Sequence, residues 1–471
     1  MHSKVHKEYY DSMSYLAVDD DICALATVPG VSALAVVRCA GPHCIEKVAA
    51  CTSRQNAFMA LPGYRALFAD LLDASVLVDE CVFVVFRAPK SPTGQDGVDI
   101  MCHGGPVTVR KIMSLLVRNG FREALPGEFM FRAVYHGKID VLKAEAVDEL
   151  VKARTESAQE EAIKKLKGGL KAEFEVLHSH LIACAAACAV QLDYGEEEAG
   201  ETIDVMTAEL EKAYTLCTEL AASYARGRLM QDGALVVLAG KTNAGKSSLF
   251  NRILKEERSI VSDIHGTTRD YVEAAIDVHG IPVRLIDTAG LRDTTDSIEA
   301  EGVRRTELLI DSADVVLYVV DATRGCTEED AERMQSFKRC IGVWNKVDSP
   351  DALPVPDCNT QTALQWVKTA AKTGSGEHEL MQALYSMLIS DSNTSVVLNC
   401  SVSTRRHYEV LERIVHLLET LREKLRCAKQ HVFDMYYVDI EEILAVYAEL
   451  VGDTDPEMIL DSVFSQFCVG K

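Results

Sequence analysis

Residues 240–248 constrain the fold of this chain more than any other part of the sequence. They read G-K-T-N-A-G-K-S-S and follow an apolar run with β character at 234–239. Their last two residues open an amphipathic segment at 247–254. This order favours a phosphate-binding loop, because the backbone N–H groups of such a loop and the helix N-terminus face the phosphate oxygens. Taken alone, the same residues would also fit a glycine-rich turn between a strand and a helix.

Three further segments follow in the order and spacing of a guanine-nucleotide domain. Residues 266–270 (G-T-T-R-D) supply a switch threonine for Mg²⁺, and residues 287–290 (D-T-A-G) supply a carboxylate and a glycine N–H for Mg²⁺ and the γ-phosphate. Residues 345–348 (N-K-V-D) end in a carboxylate that can accept both N–H groups of a guanine edge, which selects GTP over ATP. Lys246 is expected at the β- and γ-phosphates and Ser247 at Mg²⁺. Together these segments predict a Ras-like P-loop domain of α/β class.

Length and composition exclude several classes of protein. The chain has 471 residues, 48% of them hydrophobic, so about three domains with packed cores are expected. A formal charge of −22 argues against a protein that coats nucleic acid over its whole surface, but it allows a local basic site. The 15 cysteines form no C-x-x-C pair. We expect no apolar run of the roughly 18 residues that span a membrane, no secretion signal and a cytoplasmic location.

The order of residue patterns predicts a multidomain chain with an inserted domain. We expect a polar extension at 1–21 and an α+β domain at 22–142, where short apolar strands alternate with turns and helices. Helical patterns at 143–229 and 391–471 flank the nucleotide domain at 230–390. This predicts one discontinuous α-helical domain with a guest domain in its middle. The glycines and prolines of the first domain fit either plain turns or a small-molecule site.

The complete set of motifs resembles the MnmE (also called TrmE) family of tRNA-modification GTPases. Besides the nucleotide motifs, the resemblance rests on P-G-E-F-M-F-R-A-V-Y-H-G-K-I-D at 126–140, A-E-A-V-D-E-L at 144–150 and F-C-V-G-K at 467–471. It covers nearly everything from about residue 22 to the chain end. It implies a GTP hydrolase that acts with the FAD-dependent partner MnmG in a hetero-oligomer. The implied product carries an aminomethyl-type (carboxymethylaminomethyl) group at carbon 5 of the wobble uridine of certain tRNAs.

For the first domain, the resemblance implies a tetrahydrofolate-binding fold that also forms a homodimer. The implied cofactor is 5-formyltetrahydrofolate or another one-carbon form of tetrahydrofolate. The family's folate contacts correspond here to Arg38, Asp99, Lys138 and Lys471. Asp99 is shorter than the family's acidic ligand, and Gln95 stands where the family motif T-G-E-D has a carboxylate. The terminal Cys468 is implied to be a catalytic residue.

A potassium ion is a further cofactor that the resemblance implies. Leu291 follows D-T-A-G, where a Ras-like enzyme has the glutamine that orients the attacking water, and the sequence identifies no arginine finger. Arg292 is a charged switch residue and a catalytic candidate. In the family, the position of Asn243 ligates K⁺, which offsets charge at the β- and γ-phosphates when two nucleotide domains meet. Glu299 matches the residue that orients the attacking water, although by sequence alone it would be an ordinary charge on a switch helix.

These assignments define the predicted nucleotide and metal sites. The expected GTP-binding residues are Asn243, Ala244, Gly245, Lys246, Ser247, Ser248, Ser262, Asp263, Ile264, His265, Gly266, Thr267, Thr268, Asp287, Thr288, Ala289, Gly290, Asn345, Lys346, Asp348, Ala370, Ala371 and Lys372. The expected Mg²⁺ ligands are Ser247 and Thr268. The expected K⁺ ligands are Asn243, Ser262, Ile264 and Thr267.

Two other functions fit parts of the sequence. An Era- or Der-like ribosome-assembly switch shares the GTPase motifs, but it would carry an RNA-binding KH-like module, and none follows the nucleotide domain here. A folate-binding protein of aminomethyltransferase type would use GTP only as a regulator. Runs of basic residues usually form a solvated helix face. The candidate contacts for tRNA in two such runs are Lys164, Lys165, Lys167, Arg405, Arg406, Arg422, Lys424 and Arg426.

Overall fold

The chain forms two compact units. The computed structural model describes residues 18–194, 199–256, 272–288, 307–356, 365–390, 398–427, 432–452, 463, 464, 467 and 470. The first unit falls within Met1–Asp148 and Val451–Lys471, and the second is Glu149–Leu450. Each unit has its own β-sheet, so the site residues of the two units are described separately below.

The first unit is built on a six-stranded sheet with the order β3-β4-β5-β2-β1-β6. Its strands are β1 (Ile22–Leu25), β2 (Leu34–Ala40), β3 (Arg65–Asp73), β4 (Val76–Phe86), β5 (Gly97–His103) and β6 (Arg122–Glu123). Its helices are α1 (Cys44–Ala50), α2 (Gln55–Met59), α3 (Pro106–Arg118), α4 (Glu128–Tyr135) and the start of α5 (Val141–Lys152). Alternate residues of β2, such as Val37, are buried with Val48 of α1 and Ile112 of α3. This alternation is typical of a sheet covered by helices on one face.

The second unit contains a six-stranded sheet with the order β12-β11-β10-β7-β9-β8. Its strands are β7 (Ala234–Ala239), β8 (Val272–Val278), β9 (Ile281–Asp287), β10 (Val315–Asp321), β11 (Cys340–Asn345) and β12 (Gln365–Thr369). All neighbouring strands are parallel except the antiparallel pair β8–β9. Every residue of β10 and β11 is buried, because helices cover both faces of a parallel sheet. This is the predicted Ras-like α/β domain.

Eight of the helices among the described residues lie in the second unit, and the last of them ends one residue beyond it. They are α6 (Glu156–Leu166), α7 (Gly169–Tyr194), α8 (Ala199–Asp232), α9 (Lys246–Glu256), α10 (Glu328–Ser336), α11 (Glu377–Ile389), α12 (Arg405–Cys427) and α13 (Phe433–Val451). The strand β7 and the helix α9 flank the glycine loop, as the sequence predicts.

Helix α7 is apolar enough to resemble a membrane span. Its segment Gly169–Leu192 meets the length and composition of a spanning helix, so the expectation that no segment does so was too strict. This is weak evidence for a span, since helices in protein cores meet the same criteria. Phe174, Leu177 and Leu181 of α7 are buried, and the helix packs against α8. The absence of membrane contact stays a prediction.

The two segments that flank the nucleotide-binding domain in sequence lie close together. Helix α8 leads into β7, and the segment 398–404 leads into α12. A Cβ atom on Gly227 of α8 would lie only 2.1 Å from the carbonyl oxygen of Val402. The Val402 N–H donates to Ser223 Oγ at 3.0 Å. Close ends are what an inserted domain requires, so this proximity favours the predicted insertion.

We expect Gly227→Ala to destabilise the second unit although alanine is the better helix former. The new methyl group meets a backbone oxygen, and relieving such overpacking costs about 1–3 kcal/mol against a gain of about 1 kcal/mol in helix propensity. Thermal unfolding followed by circular dichroism measures the effect. The exposed Ala222→Ser on the same helix is the control, with an expected change within about 0.5 kcal/mol. A melting temperature of Gly227→Ala at or above that of the parent would contradict the close approach.

Candidate functional site

The glycine loop has two positions that only glycine can occupy. Gly240 and Gly245 have φ angles of +132° and +99°. A Cβ atom would lie 2.2 Å from a backbone oxygen of β10 at Gly240, and 2.2 Å from the side-chain nitrogen of Asn345 at Gly245. The Lys246 ammonium donates to the carbonyls of Gly240 at 3.0 Å and Lys241 at 2.9 Å, so it lies across the loop. The loop is therefore packed tightly between neighbouring segments.

Asn345 connects the glycine loop to the loop after β12. Its side chain is buried, and its Nδ2 donates to the carbonyl oxygen of Ala244 at 3.0 Å. Its Oδ1 accepts from the N–H of Ala371 at 3.2 Å and from Thr369 Oγ1 at 3.3 Å. Both ends of the amide are used, which sets its orientation. Three separately predicted GTP-binding segments are brought together by this one side chain.

Lys346 makes a second connection to the glycine loop. Its ammonium donates to the carbonyl oxygen of Asn243 at 2.8 Å and to Asp321 Oδ2 at 2.6 Å. Asn243 has a φ angle of +63°, a conformation that asparagine adopts more readily than most residues, and its side chain is exposed. Asp348, the expected guanine acceptor, is also exposed. The segment predicted to recognise the base therefore supports the backbone of the glycine loop.

Asp287 ends β9, and Thr288 follows it, on the same edge of the sheet as the glycine loop. Asp287 lies opposite Leu238 of β7 in the parallel register, and Thr288 Oγ1 donates to the Leu238 carbonyl at 2.8 Å. The loop leaves β7 between β9 and β10, at the carboxyl ends of the strands, which is where α/β sheets bind ligands. Ser247 lies in the first turn of α9. Serine hydroxyls and carboxylates are oxygen donors of the kind that suit Mg²⁺.

Part of the predicted site lies outside the described residues, and its assignments stay predictions. These residues are Ser262, Asp263, Ile264, His265, Gly266, Thr267, Thr268, Ala289, Gly290, Arg292, Glu299, Cys468 and Lys471. Within the described ranges, no group of three or more His, Cys, Asp and Glu side chains is arranged to hold a metal ion.

In the first unit, two predicted folate contacts are paired with each other. Arg38 of β2 lies opposite Asp99 of β5. Arg38 Nε donates to Asp99 Oδ1 at 2.9 Å and Nη2 donates to Oδ2 at 3.1 Å, a bidentate pair. Lys138 lies in an exposed turn after α4, with its N–H bonded to the Ala133 carbonyl at 2.8 Å. The shorter Asp99 is thus long enough to engage Arg38.

The end of the chain packs against β1 and the turn before α4. A Cβ atom on Gly470, whose φ angle is +95°, would lie 2.5 Å from the Leu25 carbonyl oxygen. Leu25 follows the β1 residue that pairs with Arg38. At Gly127 a Cβ atom would lie 2.7 Å from the Phe464 carbonyl oxygen. The aromatic tail is therefore docked, and it brings the chain end to the strand beside Arg38.

Sequence reasoning missed a buried charge network at the start of α4. Glu128 is fully buried and accepts hydrogen bonds from Arg122 at 2.8 and 3.0 Å, Arg132 at 2.9 Å and the Leu125 N–H at 2.8 Å. Burial lowers the pKa of Arg132. Burial also acts to lower the pKa of Arg122, but the hydrogen bonds and the charge of Glu128 have the larger effect, so the pKa of Arg122 is raised. The i,i+4 spacing of Glu128 and Arg132 was the available signal.

Gln95 joins this network through both ends of its amide. Its Oε1 accepts from Arg132 Nη1 at 2.9 Å, and its Nε2 donates to the Val18 carbonyl oxygen at 2.6 Å. A carboxylate could make the first contact but not the second, because it has no donor. The departure from the family motif at this position therefore has a local structural role.

Several basic residues considered for tRNA contact are engaged within the second unit. Lys165 is buried, and its ammonium donates to Glu149 Oε2 at 2.8 Å and Ser403 Oγ at 2.6 Å. The prediction that Lys165 contacts tRNA is therefore wrong, since its charge is neutralised inside the helices. The carboxylate partners of the other ion-paired candidates are Glu409 for Arg405, Glu211 for Arg422 and Arg426, and Asp439 for Lys424.

Two family models match this chain. The GTP-binding protein TrmE N-terminus matches residues 21–138, and the MnmE helical domain matches residues 141–468, more than half of the chain. The chain belongs to the MnmE/TrmE family. This confirms the assignment that the sequence motifs predict.

Curated members of the MnmE/TrmE family are similar over nearly their whole length. The tRNA modification GTPase MnmE of Borrelia turicatae is 36% identical over 461 residues, which are 96% of this chain and 98% of that protein. The protein of the same name from Treponema denticola is 37% identical over 468 residues, 97% of this chain and 99% of that protein. Among solved structures, Era in complex with MgGDPNP and a 16S ribosomal RNA segment is 29% identical over 32% of this chain and 55% of that chain. Its TM-score of 0.25 is too low to compare the folds.

Proposed function

We propose that this protein is a K⁺-dependent GTPase that acts in the modification of the tRNA wobble uridine. The observation that carries this proposal is the clamp by which Asn345 and Lys346 hold the carbonyls of Ala244 and Asn243. It keeps the segment expected to recognise guanine at a set distance from the loop expected to hold the phosphates. The part of the proposal that concerns tRNA rests on the curated relatives, which are named tRNA modification GTPases.

Five of the described residues would act in this mechanism. Lys246 binds the β- and γ-phosphates, where it exchanges loop carbonyls for phosphate oxygens. Ser247 would hold Mg²⁺, with the Asp287 carboxylate as a further oxygen donor to that ion. Asp348 would accept the guanine N–H groups, and the amide oxygen of Asn243 would be a ligand for K⁺. When bound, K⁺ supplies positive charge beside the β- and γ-phosphates, the place of an arginine finger.

The hairpin β8–β9 offers a route for movement out of the nucleotide site. It lies between the two predicted switch segments, and its turn is at Gly280. The Gly280 carbonyl accepts a hydrogen bond from Thr155 Oγ1 at 2.8 Å, and Thr155 caps α6. A shift of the hairpin would therefore act directly on the first turn of α6. We propose that hydrolysis is coupled to the helical domain at this contact.

The first unit is proposed to bind tetrahydrofolate and to form the homodimer. The pair of Arg38 and Asp99, together with the chain end at Gly470, supports a folate site beside β1 and β2. The folate carries the one-carbon unit for carbon 5 of the uridine, and FAD belongs to the partner MnmG. A cytoplasmic location and the domain boundaries given above are part of the same proposal.

We expect Gly470→Ala to weaken the binding of 5-formyltetrahydrofolate by about 10-fold, or about 1.4 kcal/mol. The added Cβ atom would meet the backbone of Leu25 and push the chain end away from β1. Isothermal titration calorimetry on the full-length protein gives the affinity. Gly168→Ala is the matched control. Gly168 also has a positive φ angle, but a Cβ atom added there would have no other atom within 4 Å. Equal affinities for parent and Gly470→Ala would contradict a folate site at the chain end.

Mass spectrometry of wobble nucleosides tests the proposed function. We expect tRNA from a strain without this gene to lack the modified uridine, and a plasmid copy of the gene to restore it. An unchanged nucleoside profile would overturn the proposal. If the nucleoside profile were unchanged and immature ribosomal subunits accumulated, the function of a ribosome-assembly GTPase would replace the proposed one.

A further inference from the structure

We propose that Asp321 is a positioning residue that sets the orientation of the Asn243 amide and thereby the affinity for the monovalent cation. This inference rests on the proposed K⁺-dependent function. It concerns a residue at the end of β10, outside all the nucleotide motifs of the sequence.

The Asp321 carboxylate is held in one place by its own loop. Asp321 is the last residue of β10 and lies opposite Asn345 in the parallel register. Its side chain is only 8% exposed. Its Oδ1 accepts from the N–H of Thr323 at 3.0 Å and from Thr323 Oγ1 at 2.8 Å. This leaves Oδ2 directed at the Lys346 ammonium, at 2.6 Å.

Lys346 transmits this position to the glycine loop. Lysine side chains have about 2 kcal/mol of rotamer entropy, so an ammonium without a fixed partner would sample many positions. The carboxylate of Asp321 removes that freedom and places the ammonium 2.8 Å from the carbonyl oxygen of Asn243. Burial acts to raise the pKa of Asp321, but hydrogen bonds from Lys346 and Thr323 outweigh it and lower the pKa. The carboxylate is therefore ionised at neutral pH.

The held carbonyl restricts the backbone from which the Asn243 side chain projects. With φ at +63°, Asn243 has a conformation that costs free energy in most residues and needs support from its surroundings. Turning of the peptide plane between Asn243 and Ala244 would break the 2.8 Å contact between Lys346 and the Asn243 carbonyl, so this contact opposes backbone movement beneath the amide. Partners that orient a metal ligand typically contribute about 10–100-fold to metal affinity. Asp321 has this relation to Asn243, acting through Lys346.

The test compares K⁺ activation in the full-length parent and Asp321→Asn. Asparagine keeps an oxygen for Thr323 but has no negative charge for Lys346. We expect the half-activating K⁺ concentration for GTP hydrolysis to rise about 10-fold at constant ionic strength, while the rate at saturating K⁺ stays within about twofold of the parent. The affinity for a fluorescent GDP analogue is expected to stay within about threefold. Asp321→Glu, which keeps the charge, should recover part of the shift.

Two further measurements separate this role from a structural one. With a non-hydrolysable GTP analogue, K⁺ should raise the melting temperature above that in Na⁺ for the parent, and more K⁺ should be needed for Asp321→Asn. The exposed Asp311→Asn is the charge-matched control and should behave like the parent. A lower melting temperature and weaker GDP binding with an unchanged K⁺ curve would overturn the role of Asp321 alone. A parent with no preference for K⁺ over Na⁺ would overturn the proposed function itself.

Discussion

Replacing Asn243 with alanine is expected to abolish K⁺ stimulation of GTP hydrolysis while Mg·GTP still binds. Asn243 is an exposed residue within the glycine loop, and its backbone carbonyl is held by Lys346. Loss of one preorganised electrostatic contact to the transition state typically lowers kcat by about 10²–10³-fold. Steady-state hydrolysis in K⁺ and in Na⁺ measures this loss, and binding of a fluorescent GTP analogue measures the remaining affinity.

Asn243→Gly separates the lost amide from backbone strain. Alanine at a φ angle of +63° costs about 1–2 kcal/mol, whereas glycine adopts it freely. Both variants lack the amide, so we expect both to lose the K⁺ effect. If Asn243→Gly kept the full stimulation by K⁺, the side chain would not be the cation ligand.

Asn345→Ala is expected to reduce guanine-nucleotide affinity by about 100-fold or more, which corresponds to about 2.7 kcal/mol. It removes the hydrogen bonds to Ala244, Thr369 and Ala371, and a buried polar group without its partner costs about 1–3 kcal/mol. The glycine loop and the loop after β12 then lose their common support. Stopped-flow binding of a fluorescent GDP analogue gives the affinity and the dissociation rate.

Thr369→Val is the control for the effect of Asn345→Ala. It removes the one contact from Thr369 Oγ1 to Asn345 Oδ1, at 3.3 Å, and leaves the other two in place. We expect an affinity loss of less than about 10-fold for it. An affinity of Asn345→Ala within about threefold of the parent would show that the clamp does not support nucleotide binding.

The nucleotide-binding domain could be predicted in detail because its constraints are local in sequence. Gly240 and Gly245 are required by the backbone of one short loop, and Lys246 follows in the same segment. The strand before the loop and the helix after it show their periodicities within a few residues.

The supporting contacts could not be predicted, since they join distant parts of the chain. Lys165 looked like one member of a solvated basic run, yet its partner Ser403 lies 238 residues further along. Asp321 ends an apolar strand and carries no motif, although it holds Lys346. The docking of Phe464 against Gly127 likewise depends on tertiary packing that no local pattern encodes. Residue spacing reveals a loop or a helix face, but not which distant charge satisfies a buried one.

The most direct test of the account is GTP hydrolysis by the intact, unaltered protein in K⁺ and in Na⁺ at equal ionic strength. In the proposed mechanism a cation takes the place of the arginine finger, which is worth about 10³–10⁵-fold in other GTPases, so hydrolysis should be at least about 10-fold faster in K⁺. Equal rates in the two salts would contradict the potassium mechanism.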